Sequence, residues 1–136
     1  MKLKFVLSFL FFVIFLTASN AQYRFKTIDY ATTVKNNNKW QKWSKSQKSE
    51  MIVELQTNKN RLVVYSEIIQ LFNIVDYGEE KEDKNKNTVS FLCIDNQGVE
   101  CTLTIVTLKD STKINQLFIT YEDMIIMYNM KLIKNK

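Results

Sequence analysis

Residues 89–106 read VSFLCIDNQGVECTLTIV, and their pattern decides the fold. Val89, Phe91 and Cys93 occupy every second position on one arm; Cys101, Leu103 and Ile105 do so on the other. A period of two places each set on one face of a strand. Between the arms, Asn96-Gln97-Gly98 suits a three-residue hairpin loop with Gly98 in the left-handed conformation. That loop sets Phe91 opposite Leu103, Val89 opposite Ile105 and Cys93 opposite Cys101. A single register therefore gathers the apolar residues and both cysteines on one side.

The same logic extends in both directions. Downstream, a hairpin from Ile114 to about Ile133 turns at Glu122-Asp123 and pairs Tyr121 with Met124, Ile119 with Ile126 and Leu117 with Tyr128. Its other face, with Phe118, Ile125 and Met127, is also apolar, which marks strands that are central or covered. Upstream, Met51, Val53 and Leu55 alternate. A turn at Asn58-Lys59 then sets Leu55 against Leu62 and Val53 against Val64.

Residues 67–77 admit a short helix with face Ile68, Leu71, Phe72 and Val75, or a strand with Ile69, Leu71, Asn73, Val75 and Tyr77 on one side. Strand neighbours and short connections favour the strand. Gly78–Asn87 (GEEKEDKNKN) has no apolar residue and suits a solvated hairpin tip. Its four acids lack calcium-loop spacing and are interrupted by Lys81, Lys84 and Lys86, so no metal site is assigned there. Residues 23–33 suggest a further strand with Tyr23, Phe25 and Thr27 on one side. The expected fold is all-β: an antiparallel up-and-down meander of seven or eight strands, forming a small barrel, half-barrel or sandwich. The interior of such a barrel either fills with side chains or holds one small ligand.

The first residues carry a different signal. Lys2 and Lys4 precede the run Phe5–Leu16, apolar apart from Ser8, and Ser19 and Ala21 are small residues at the positions a signal peptidase reads. Only twelve positions separate Lys4 from Thr17, too few for a spanning helix of ~20 residues. Residues 1–21 therefore read as a cleaved signal helix and 22–136 as a single β domain, exported to the periplasm or beyond, with no membrane anchor after cleavage. Removing Lys2 and Lys4 leaves 17 basic against 14 acidic residues, a balance of +3.

Absences narrow the chemistry. With no histidine, the chain has no histidine-based triad, histidine metal ligand or imidazole base. Two isolated glycines and no proline cannot build a phosphate loop or a nucleotide fingerprint, and no cofactor is expected. Only two arginines, Arg24 and Arg61, argue against specific nucleic-acid recognition. The carboxylates Glu50, Glu54, Asp95, Glu100, Glu122 and Asp123 are the one inventory from which a hydrolase could be built, but turn positions explain most of them. No catalytic residue is assigned.

Two candidate features remain. Cys93 and Cys101 are directly opposed and, in an exported chain, are expected to form a disulfide; two buried thiols are the alternative. In Lys35–Lys48 (KNNNKWQKWSKSQK), Trp40 and Trp43 are interleaved with Lys39, Lys42 and Lys45. This is either an exposed basic–aromatic binding surface or a turn that folds both tryptophans under the sheet to cap an open end of the core. Burial is the commoner fate of tryptophan and favours the cap.

The W-x-x-W of Trp40 and Trp43, followed by strands and the F-x-C-x-D-x-x-G-x-x-C hairpin of Phe91, Cys93, Asp95, Gly98 and Cys101, resembles small exported bacterial proteins of unknown function. That resemblance implies a β-meander and no activity. The meander is also similar to lipocalins, without their G-x-W signature. Three functions fit this chain. They are a non-catalytic binding module for a protein or envelope polymer, a carrier of a small apolar ligand, and a carboxylate hydrolase.

Overall fold

The computed structural model describes residues 22–135, so the signal helix expected at 1–21 lies outside the described residues. Ten strands follow one another: β1 (Gln22–Asn36), β2 (Lys39–Trp40), β3 (Gln47–Lys48), β4 (Ile52–Gln56), β5 (Arg61–Tyr65), β6 (Gln70–Glu82), β7 (Lys86–Asp95), β8 (Glu100–Leu108), β9 (Ile114–Thr120) and β10 (Met124–Asn135). From β4 to β10 each strand pairs antiparallel with the next, β4 pairs β1, and β10 returns to pair β1. The result is a closed eight-stranded meander barrel, with β2 and β3 as short additions along β1. Closure satisfies the outer edges of β1 and β10, which an open sheet would leave as templates for aggregation.

The expected registers are those observed. Cys93 faces Cys101 and Phe91 faces Leu103. Leu55 faces Leu62 and Val53 faces Val64. Ile119 faces Ile126, and Leu117 faces Tyr128. Gly98 sits at φ +83°, its amide bonded to the Asp95 carbonyl, as a three-residue loop with a left-handed glycine requires. The β4–β5 connection is longer than the two residues expected. A 3₁₀ turn at Thr57–Lys59 ends on Asn60 in the left-handed region, and the register is kept.

Residues 70–82 form a strand, not a helix. Phe72 and Ile74 face the core, while Asn73 and Val75 are exposed. Irregularities after Ile74 and after Tyr77 then turn the strand, and the Tyr77 ring meets Phe91 edge-on at 5.5 Å. Gly78 lies where β6 passes close to β7: a Cβ there would sit 2.8 Å from the Ser90 carbonyl oxygen. The polar stretch is the exposed end of the β6–β7 hairpin, with strand pairing maintained as far as Glu82 and Asn87.

Side chains fill the middle of the barrel. Val53, Leu62, Val64, Cys93, Leu103, Leu117, Ile119 and Met130 have no exposed surface at all. Each fully buried large aliphatic side chain contributes ~1.5–3 kcal/mol. A bulge in β1 between Thr27 and Asp29 changes which residues point inward. Phe25 and Thr27 are buried before it; after it Tyr30 faces Tyr128, the two rings 6.0 Å apart.

Candidate functional site

In an up-and-down barrel, alternate turns lie at the same end. The β1–β2, β5–β6, β7–β8 and β9–β10 turns therefore share one mouth, and residues from all four line an open basin of about 1490 Å³. Its charged residues are Glu67, Asp95, Glu100, Glu122 and Asp123, set against a single cation, Lys35. Phe72, Met124 and Ile126 also contribute to its lining.

Asp95 braces this mouth. Its Oδ1 accepts the amides of Gln97 and Val99, each at 2.9 Å, and its Oδ2 accepts the Tyr121 hydroxyl at 2.7 Å. Partial burial pushes its carboxyl up, but the bonds from Val99, Tyr121 and Gln97 together outweigh that and hold it below the ordinary carboxylate value. Burial, and then the hydrogen bond to Asp95, push the Tyr121 hydroxyl well above its ordinary value.

The segment from Asn37 to Ser49 forms a strap on the outer wall. It starts at an Asn37-Asn38 turn in which both residues have positive φ, a geometry asparagine tolerates. It then runs back along β1. The Gln41 amide bonds Val34 O, the Ser44 amide bonds Thr32 O, and Thr33 Oγ1 donates to Gln41 O. Ala31 and Thr33 pair with Met127 and Ile125 on the outer face, yet both are buried.

The cap expected of the tryptophans is not what forms. Trp40 and Trp43 are 41% and 43% exposed and lie on the wall. The barrel centre is already full, and the strap's backbone is bound to the free edge of β1, which leaves its side chains outside. Trp43 lies over the outer wall and meets Phe118 of β9 edge-on at 6.4 Å. It thus covers part of the apolar outer face that Phe118, Ile125 and Met127 announce in the sequence. Lys35 Nζ stands 5.2 Å from the centre of the Trp40 ring. Lys39, Lys42 and Lys45 are all exposed beside the rings. Farther along, Lys26, Lys48 and Lys131, with one acid, Glu50, line a groove of about 340 Å³ next to Ser49 and Ile28. That basic continuation escaped the sequence reading because its lysines come from three separate strands.

Cys93 and Cys101 face one another in the barrel core as free thiols. The bond from Asp95 N to Val99 O makes that pair a hydrogen-bonded one, and strand alternation makes Cys93–Cys101 another. The Cα atoms of such pairs lie ~5.5 Å apart, as in many disulfides, but their β-carbons are farther apart than at non-hydrogen-bonded positions and must draw in to ~3.5–4.5 Å for the bond to form. Burial, reinforced by Cys101, pushes the Cys93 thiol up to about 12. Burial and the nearby Asp95 push Cys101 to about 11. Both are therefore neutral, poorly nucleophilic thiols near neutral pH.

The carboxylates considered for hydrolysis are dispersed or engaged. Glu54 lies on the outer wall, 2.9 Å from Arg24 Nε, and accepts hydrogen bonds from Gln56 and Tyr65. Asp95 is tied to its own turn and to Tyr121. Among the described residues, no three histidines, cysteines or carboxylates converge as metal ligands. No helix among them is long and apolar enough to cross a membrane. Compared with known proteins, the chain matches no family model, no curated protein and no solved structure.

Proposed function

We propose that this chain is an exported, non-catalytic binding module that holds an anionic partner, an envelope polymer or the acidic face of a protein, against its basic–aromatic strap. The observation that carries this reading is the exposure of Trp40 and Trp43 beside exposed Lys39, Lys42 and Lys45. Exposed rings stack on sugars or other planar groups, while ammonium groups neutralise charge. The lysine-lined groove at Lys26, Lys48 and Lys131 extends the basic surface along the wall. In the oxidising space to which the leader would deliver it, the opposed Cys93 and Cys101 would close as a disulfide and staple the β7–β8 hairpin.

The filled centre of the barrel favours this role over that of a carrier with an internal chamber. The test is a titration of the folded domain with an acidic polysaccharide, followed by tryptophan emission. Binding should perturb that emission, weaken with added salt, and fall roughly tenfold or more when Lys39, Lys42 and Lys45 are changed to glutamine. Equal binding by that triple variant, or equal response to a neutral polysaccharide, would refute the strap as the site.

A further inference from the structure

The basin at the barrel mouth is chemically the reverse of the strap. Five of its lining residues are acidic and one is basic, in a domain whose net charge is positive. Next to those acids stand large aliphatic side chains open to water: Ile68 is 79% exposed, Ile69 54% and Val99 46%. Apolar surface rimmed by polar groups marks a place that a partner covers. At about 1490 Å³ the basin exceeds the ~300–1,000 Å³ of a pocket for a drug-sized ligand, and it is open rather than enclosed.

We infer that this basin docks a basic amphipathic peptide segment of another protein. Its apolar side chains would lie on Ile68, Ile69 and Val99, and its lysines or arginines would meet Glu67, Glu100, Glu122 and Asp123. Charge complementarity selects the sign of the partner and the exposed aliphatics select its amphipathic character. Asp95 is left out because both of its oxygens already serve the turn and Tyr121. A second copy is disfavoured as the occupant. The chain's own basic–aromatic stretch lies flat on β1, bonded through Gln41 and Ser44, with Trp43 seated on Phe118. It does not project far enough to enter a concavity.

The experiment uses a fluorescent amphipathic Lys/Leu peptide and a Glu/Leu peptide of the same pattern, with anisotropy as the readout. The Lys/Leu peptide should bind and weaken with salt; the Glu/Leu peptide should not bind. The triple variant E67Q/E122Q/D123N should bind roughly tenfold more weakly, the size expected of three rim charges. I68S/I69S should also weaken binding. All five changed residues are exposed, so the fold should persist, which the far-ultraviolet dichroism of each variant checks. Changing Lys39, Lys42 and Lys45 should leave peptide binding intact, which keeps failure of the strap distinct from failure of the basin. Unchanged binding by the acidic triple variant, or binding of the Glu/Leu peptide, would overturn the inference. So would concentration-dependent self-association that the triple variant abolishes, because it would assign the basin to a second copy.

Discussion

The β7–β8 hairpin and the strap from Asn37 to Ser49 are both antiparallel excursions that turn back on a strand, yet they are held by opposite means. In the hairpin, Phe91, Cys93, Cys101, Leu103 and Ile105 all point into the barrel, and none is more than 5% exposed. Sliding it by one residue would turn that whole set toward water. The strap carries exposed side chains from Asn37 through Lys48. It is held by backbone bonds to Val34 and Thr32, the Thr33 hydroxyl and the contact of Trp43 with Phe118. One segment is positioned by what it buries; the other is held by backbone bonds, a few polar side chains and one ring contact, with its lysines left open to a partner.

The largest difference should come from truncating each segment. Leu103, fully buried, should cost ~2–5 kcal/mol as Leu103→Ala, read by urea denaturation. Lys42→Ala on the strap should stay within about 0.5 kcal/mol. Equal losses at the two sites would erase the distinction.

A smaller effect separates the two turns. Gly98→Ala forces an L residue to φ +83° and should destabilise by about 1–2 kcal/mol. Asn38→Gly, at φ +61° in the strap turn, should change stability by only a few tenths, about as much as other surface changes. Should the two turns respond alike, the Gly98 loop would not be what sets the hairpin's register.

The smallest effect near neutral pH sharpens the account of the hairpin interior. Because folding raises both thiols above their ordinary value of 9.0, the folded state holds their protons more tightly than the unfolded chain does. Their contribution is complete below pH 9.0 and is lost as pH rises toward about 11 and 12. Reduced protein should therefore lose stability across that alkaline window, and protein oxidised at Cys93–Cys101 should not show that component. Alkylation should follow the same order: negligible at pH 7 in folded reduced protein, rapid once it is unfolded. Rapid alkylation of the folded form would place the thiols outside the core. At the acid end, Asp95 acts in the opposite sense. Its lowered value supports the fold above about pH 3.8, and that support disappears as pH falls through the folded value.

The same contrast separates the parts of the fold that the sequence makes legible from those it does not. Alternation with a turn between gave three hairpin registers, because a one-residue error would have placed Phe91, Leu103 or Ile119 in water. In β6, a strand was readable but its facing was not. Both faces of residues 69–75 carry apolar side chains, and two irregularities later shift the alternation. The strap's place is not legible, because composition cannot show whether a tryptophan has room inside. The double-sided apolarity of Phe118, Ile125 and Met127 was the available sign that something from elsewhere lies over them. The acidic mouth had a sign too. In a meander, every second turn shares an end, so Glu67, Asp95 and Glu100, and Glu122 and Asp123 accumulate on one rim.

The decisive measurement is native-state amide hydrogen exchange, resolved by residue. A closed, filled barrel predicts strong protection where β1 meets β10, at Ala31, Thr33, Ile125 and Met127, while Lys42, Trp43 and Lys45 exchange rapidly. If the outer edges of β1 and β10 exchanged as fast as the strap, the seam would be open. The meander would then be an unclosed sheet, contradicting the account.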